Sequence, residues 1–297
     1  MSEPGHGGAL NRRALLGSAL RAGLALGTAA VLPRPLAAAP LAKVRAEGRL
    51  RVGVYADNRP WSWTEGGVLR GIDVDLARAL AAGLGVEAEV VEFLAGDDLA
   101  ADLRNVVWRG GLLGFRPCDV MLHVPFDRQL MLENDQVAIV APYYREGFAM
   151  VCGPEAGDCE VPPAQFHGKR LAAETATISD AYLLGSFGGV LRAGVHHYPT
   201  GYAAMAAVGS GAADVALGTR AQAEAALHDL PAAGLRRRKG PIPALASPGW
   251  DVAMAVKDNS RTLGDALEGV LARLTADGGL AAIFARHGVV WHAALAG

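Results

Sequence analysis

The sequence predicts an α/β protein built from two successive units, and three observations carry that prediction. Short β-branched or apolar runs alternate with stretches whose apolar residues recur at helical spacing. The alternation stops and restarts after Tyr144. Length permits it: removing residues 1–39 as an export segment leaves roughly 260 of the 297, enough for one large or two ordinary domains with a substantial core.

In the first unit, Leu50 to Tyr55 reads as a strand. Asp73 is placed to cap the next helix, where Leu76, Leu80 and Leu84 recur on one face until Gly83 and Gly85 end it. Val86 to Phe93, Asp119 to Val124 and Val137 to Ala141 are further strands, with a helix from Asp97 to Trp108 between the first two. This βαβ order implies a mostly parallel sheet. In the second unit, Arg170 to Ala173, Gly194 to Tyr198 and Asp214 to Gly218 are strands. They alternate with helices near Ser179 to Phe187, Tyr202 to Val208 and Arg220 to Leu227. Pro241-Ile242-Pro243 punctuates a return, Asp251 to Val256 is one more strand, and helices over Arg261 to Thr275 and Leu280 to His287 follow.

The N-terminus points to export. Asn11-Arg12-Arg13 sets adjacent arginines before the apolar run Leu15 to Leu32, and Leu36-Ala37-Ala38-Ala39 offers small residues for a peptidase. That is the pattern of a cleaved twin-arginine signal over residues 1–39, and it predicts a periplasmic protein without stable membrane insertion. A permanent anchor is the rival reading, which Arg21, Gly17, Gly23 and Gly27 weaken. A formal net charge of -2 supplies no basic field for nucleic acid or anionic lipid. Arg236-Arg237-Arg238-Lys239 reads as a solvated face or linker, with a docking patch as the alternative.

Three cysteines are few, but their spacing is informative. Cys152 and Cys159 bracket a turn-forming Gly-Pro-Glu-Ala-Gly-Asp segment, and an exported chain meets an oxidising compartment, so a Cys152–Cys159 disulfide is predicted. Cys118, beside the apolar run Val120-Met121-Leu122, reads as a packed thiol rather than a nucleophile. No Ser-His-Asp arrangement with a nucleophile elbow, phosphate loop or metal-ligand spacing is present, so neither catalysis nor a cofactor is expected.

Particular residues carry a resemblance that periodicity could not. Gly48 to Val54, Pro60-Trp61-Ser62-Trp63, Gly71-Ile72-Asp73-Val74-Asp75-Leu76-Ala77, Asp119-Val120-Met121, Pro142-Tyr143-Tyr144 and Asp277-Gly278-Gly279-Leu280 resemble, in this order, the family 3 solute-binding proteins. The resemblance implies a two-lobed, periplasmic-binding-protein-like (type II) fold, with mostly parallel sheets joined by two crossover strands. Lobe one would take residues 49–145 and 250–297, lobe two 149–241, and the crossovers Tyr144 to Val151 and Pro243 to Val252. Ligands of such sheets sit at the carboxyl ends of strands, which puts a cleft between the lobes.

The family's amino-acid receptors hold a carboxylate with an arginine and with donors at a helix N-terminus. Arg128 and the segment Thr175 to Ser179, with Thr175 and Thr177 as its hydroxyl donors, are the nearest matches here. Leu122 to Asp127 lacks the usual Ser/Thr donors, and Val215-Ala216-Leu217-Gly218-Thr219 has no carboxylate where the ligand's ammonium would be received. Weak or absent binding of free amino acids follows, because a lost charge-assisted hydrogen bond is worth about 1.5–3 kcal/mol.

Asp102 to Phe115, Asp119 to Pro125 and Ala141-Pro142-Tyr143-Tyr144-Arg145-Glu146 together resemble the MxaJ and XoxJ proteins of bacterial methanol oxidation. That resemblance implies a non-catalytic protein that assists or activates a periplasmic quinoprotein methanol dehydrogenase of the lanthanide or calcium type. Trp108, Arg109, Leu112, Leu113 and Phe115 are the candidate partner interface, since Trp and Arg anchor interfaces; core burial of the leucines is the alternative. Cleft candidates are Tyr55, Arg59, Trp61, Trp63, His123, Arg128, Thr175 and Thr177. Trp61 and Trp63 are either an aromatic platform or packing under a loop, Arg128 a cleft cation or a partner of Asp127 or Glu133, and His123 a ligand group or hydrogen-bonded structure. An ABC-transporter receptor for a small organic solute and a cyclohexadienyl-dehydratase-like enzyme are the alternatives. The enzyme would need a positioned acid or base, for which Glu174 and His123 are the candidates.

Overall fold

The computed structural model describes residues 40–296, so the twin-arginine segment at 1–39 lies outside the described residues, as does the side chain of Leu113. The chain opens with α1 (Pro40–Glu47), which the sequence reading had not anticipated; its proline stands at the first helical position, where a missing N–H costs nothing. Then come β1 (Arg49–Tyr55), the hairpin β2 (Trp63–Glu65) and β3 (Val68–Arg70), α2 (Ile72–Leu84), β4 (Glu87–Phe93), α3 (Leu99–Leu103), β5 (Val120–Pro125), α4 (Arg128–Glu133) and β6 (Val137–Glu146). The second half supplies β7 (Phe148–Cys152), β8 (Leu171–Glu174), α5 (Ile178–Gly185), β9 (Val195–Tyr198), α6 (Gly201–Gly209), β10 (Val215–Thr219), α7 (Arg220–Asp229) and β11 (Arg236–Arg237). It ends with β12 (Trp250–Lys257), α8 (Arg261–Ala276) and α9 (Gly279–Ala285).

Two five-stranded sheets result, in the orders β4-β1-β5-β12-β6 and β11-β7-β10-β8-β9. They are mixed rather than mostly parallel. β1 runs parallel to β4 and β5, and β8 parallel to β9 and β10, where βαβ connections permit it. β12 is antiparallel to β5 and β6, and β7 antiparallel to β10 and β11, because these strands lie beside the passages between lobes. Only Gly147 separates β6 from β7, so the first crossover is nearly continuous strand. The second is not a strand until Trp250: Pro241, Pro243 and Pro248 remove ladder donors from the segment before it.

Locally the elements follow their residues with two departures. Asp73 does not cap α2; Gly71 does, at φ 134, where a Cβ would meet the Trp61 carbonyl at 2.2 Å. The helix expected over 97–108 is α-helical only to Leu103 and widens to a π-turn over Arg104–Trp108. Cys152 and Cys159 form the disulfide, with Cα atoms 5.9 Å apart. Cys118 is buried, and burial pushes its thiol up to about 12, which leaves it inert.

The first sheet's core gathers Leu50, Val52, Ile72, Leu76, Leu80 and Val256 with Trp61, Tyr144 and Phe284. Ala221 and Ala225, from the helix after the second sheet's central strand, belong to the same buried cluster. The two lobes therefore share apolar contact along α7.

Candidate functional site

The lobes meet in two regions of opposite character. In the first, the loop after β1 carries Arg59 toward the second lobe. Its guanidinium carbon lies 4.7 Å from the centre of the Trp63 ring and 4.4 Å from that of Tyr202, and its Nη2 donates to Asp229 Oδ2 at 2.8 Å. The Tyr202 hydroxyl donates to the same oxygen at 2.8 Å, and the His228 imidazole faces Oδ1 at 3.1 Å. Burial raises the Asp229 carboxyl, but the bonds from His228, Tyr202 and Arg59 outweigh it and hold the group below its ordinary value. The neighbouring hollow, about 390 Å³, adds Arg70, Asp75 and Arg286. Its charges are already matched: Arg70 pairs with Glu65, and Asp75 is drawn down to about 2 by the hydrogen bond from His287, against the cost of its burial and with the help of Arg286.

The second region is a pocket of about 230 Å³ at the crossovers, walled by Phe148, Trp250 and Ile178, with Glu174, Thr177 and Thr219 on its rim. Phe148 and Trp250 open β7 and β12, and their rings meet edge to face at 5.4 Å. The end of β10 offers no acid, since Thr219 and Gln222 close a capping box on α7. A carboxylate arrives instead from β8. Glu174 Oε2 accepts the Gly201 amide at 2.8 Å, and burial raises its carboxyl. Among the described residues no Arg or Lys lines this pocket.

Asp73, His123 and Tyr143 form a largely buried polar relay in the first lobe. Tyr143 donates to Asp73 Oδ1 at 2.7 Å and accepts the His123 amide at 3.1 Å, while His123 Nδ1 stands 3.4 Å from Asp73 Oδ2. Burial, then the charge of Asp73, raises the Tyr143 hydroxyl well above its ordinary value. Glu146 closes the hinge. Its Oε1 accepts amides from Gly147 at 2.8 Å, Arg220 at 3.2 Å and Ala221 at 3.4 Å, so a first-lobe carboxylate caps the second lobe's α7. Burial drives it up to about 7 against those bonds and the positive field of Arg220.

Residues 50–106 match the family model of the bacterial extracellular solute-binding proteins, family 3. An amino acid ABC transporter substrate-binding protein from Streptococcus pneumoniae, bound to L-arginine, superposes with a TM-score of 0.62 at 16% identity, over 84% of this chain and 98% of that one. This chain has the periplasmic-binding-protein fold. A mutant of ArgBP from T. maritima gives a TM-score of 0.58 at 23% identity, over 83% of this chain and 98% of its own. An ancestral amino acid-binding protein, described as a precursor of cyclohexadienyl dehydratase, gives 0.59 at 20% identity, over 84% and 99%. No curated protein matches the sequence. Among the described residues no helix is long and apolar enough to cross a membrane.

Within this fold the cleft candidates scatter. Tyr55 turns away, donating to Asp102 Oδ2 at 2.9 Å and packing on Phe93. Trp61 is 1% exposed, enclosed by His123, Tyr144 and Phe284, so here it is core rather than platform. His123 is held in the relay at φ 64, where the register of β12 on β5 shifts, and acts as structure. Arg128 is exposed on the first turn of α4 and lines neither region. Thr175 donates to the Tyr198 carbonyl at 3.2 Å, while Thr177 caps α5 and reaches the pocket. Arg59 and Trp63 do come together.

The interface candidates divide as well. Trp108 and Phe115 are half-buried against the cluster of Leu103, Val106 and Val107, while Arg109 and Leu112 project, Leu112 at 92% exposure; the side chain of Leu113 lies outside the described residues. Tyr202, Asp229, Glu146, Phe148 and Trp250 were missed. Phe148 and Trp250 had a usable signal, since aromatics opening the strands beside a crossover face the cleft.

Proposed function

We propose that this protein is exported to the periplasm, catalyses no reaction, has a cleft not suited to free amino acids, and assists or activates a quinoprotein methanol dehydrogenase of the lanthanide or calcium type. One observation carries the negative half: the crossover pocket has a carboxylate but no cation, and Arg59 is spent on Asp229. A zwitterion placed there would leave its own carboxylate without a charged partner. The positive half rests on the resemblance of residues 102–125 and 141–146 to the MxaJ and XoxJ proteins. The exposed Arg109 and Leu112 supply an apolar, cationic tip for a partner surface. Affinity capture from periplasm with the mature protein tests it. Recovery of a quinoprotein dehydrogenase is expected, and recovery of a transporter membrane subunit without one overturns it.

A second reading is favoured by the pocket's walls. Phe148, Trp250 and Ile178 suit a small, largely apolar organic solute, so a transport receptor of that specificity fits the same geometry. The enzyme reading has least support, because Glu174 is engaged by the Gly201 amide and His123 lies in the first-lobe relay. Thermal-shift screening separates these readings: a large shift with a small apolar solute favours the second, and a large shift with any free amino acid contradicts both.

A further inference from the structure

We propose that the two lobes are latched together by the protein's own Arg59, which sits as an internal cation in a cage of Trp63, Tyr202 and Asp229 and holds them closed without a ligand. The proposal stands apart from any partner or solute. Trp63 belongs to the first lobe's β2, whereas Tyr202 and Asp229 come from the second lobe's α6 and α7. Two aromatic faces and a carboxylate converging on one guanidinium are the means by which proteins recognise free cations. Here the cation is covalently supplied, so closure does not cost the translational and rotational entropy of a separate ligand.

The latch is one of several ties along the same helix. At the start of α7, Glu146 of the first lobe accepts the amides of Arg220 and Ala221, and Arg220 donates to the Arg145 carbonyl. In its middle, Ala221 and Ala225 join the first lobe's core, and Glu224 Oε2 accepts the Val290 amide at 2.9 Å. At its end, Asp229 takes Arg59 and Tyr202, and Gly288 lies so close to His228 that a Cβ there would meet the His228 Cβ at 2.3 Å. A helix of the second lobe thus finds partners in the first from one end to the other. Parting the lobes about the crossovers stretches the far end most, and Arg59 is the tie at that end.

The test uses the purified mature protein without ligand, comparing wild type with Arg59→Ala and Tyr202→Phe by small-angle X-ray scattering and hydrogen exchange. Wild type is expected to scatter as one compact particle. Arg59→Ala should raise the radius of gyration and speed exchange in the last turn of α7 by at least tenfold, and millimolar ethylguanidinium should reverse both. Tyr202→Phe removes only the phenolic donor to Asp229 and should give a smaller rise in exchange at the same amides. Unchanged scattering and exchange in Arg59→Ala overturn the proposal. If Arg59→Ala fails to fold, Asp229→Asn decides, because it removes the charge that Arg59 meets across the lobes: an unchanged radius of gyration and unchanged exchange at the end of α7 refute the latch.

Discussion

The Arg59 cage and the crossover pocket both lie where the lobes meet, yet they treat polar chemistry in opposite ways. In the cage and the hollow beside it each charge named above has a partner within the protein, from Arg59 with Asp229 to Asp75 with Arg286 and His287. In the pocket the walls are Phe148, Trp250 and Ile178, and the one carboxylate is occupied by a backbone amide. A polar ligand gains little where the charges are already paired, because it must displace bonds as good as those it makes. An apolar ligand gains by removing the pocket's surface from water. The contrast separates a region committed to holding the lobes from one with room for something else.

The largest effect should come from the buried core two residues along from Arg59. Trp61→Ala is expected to cost about 3–5 kcal/mol in denaturant unfolding, since the side chain is fully enclosed against Tyr144 and Phe284. A loss below about 1 kcal/mol would mean that the loop carrying Arg59 does not rest on this core.

Next is the hinge carboxylate. Glu146 has a folded value of about 7 against an ordinary 4.5, so its burial is tolerated fully only in the protonated form. Its contribution is whole below pH 4.5, falls as pH rises toward about 7, and is gone above it, a change on the order of 3 kcal/mol. Glu146→Gln keeps an acceptor for the amides of α7 and should stabilise the protein at pH 8 while flattening this part of the pH profile. A variant as pH-dependent as wild type between 4.5 and 7 would place the titration elsewhere.

The disulfide lies away from both regions and serves as a control. Reduction, or Cys152→Ser with Cys159→Ser, should cost about 2 kcal/mol for so short a loop and leave Arg59 latching unaltered. Coupled loss of latch and bridge would show that the second lobe is less autonomous than its own core suggests.

Smaller still is the ligand effect. A small aromatic solute at ten times its dissociation constant should stabilise wild type by about 1.4 kcal/mol, read as a shift in melting temperature, and Trp250→Ala should abolish it. An equal shift in both proteins would move the solute out of the crossover pocket. At the bottom of the scale, Leu112→Asp should change stability by less than about 0.5 kcal/mol while reducing dehydrogenase capture, because the side chain touches little of its own chain.

Much of the α/β order was legible because it depends on spacing within short windows. The Leu76, Leu80, Leu84 stripe and the β-branched run of β4 are local patterns, and the structure places α2 and β4 within a residue or two of them. Cys152 and Cys159 were legible for the same reason, their pairing needing only the turn between them. The hairpin had a signal that went unread, Gly66-Gly67, both at positive φ. Asp73 looked like a cap because an acid opens a helix, but a cap and a buried acceptor for Tyr143 carry the same local signature. The site fared worse. Arg59 and Asp229 are 170 residues apart in sequence, and Arg128, the more obvious cation, faces solvent.

By itself the sequence determined the alternation of strands and helices, the disulfide, the inert buried thiol and the lack of an acid at the end of β10. Each depends on residue type and near neighbours alone. Tertiary structure decided which arginine reaches an acid, which tryptophan is core, and that Glu174 brings a carboxylate to the pocket from β8. Those outcomes depend on which side chains the folded backbone delivers to one place. No short window encodes a meeting between segments this far apart along the chain.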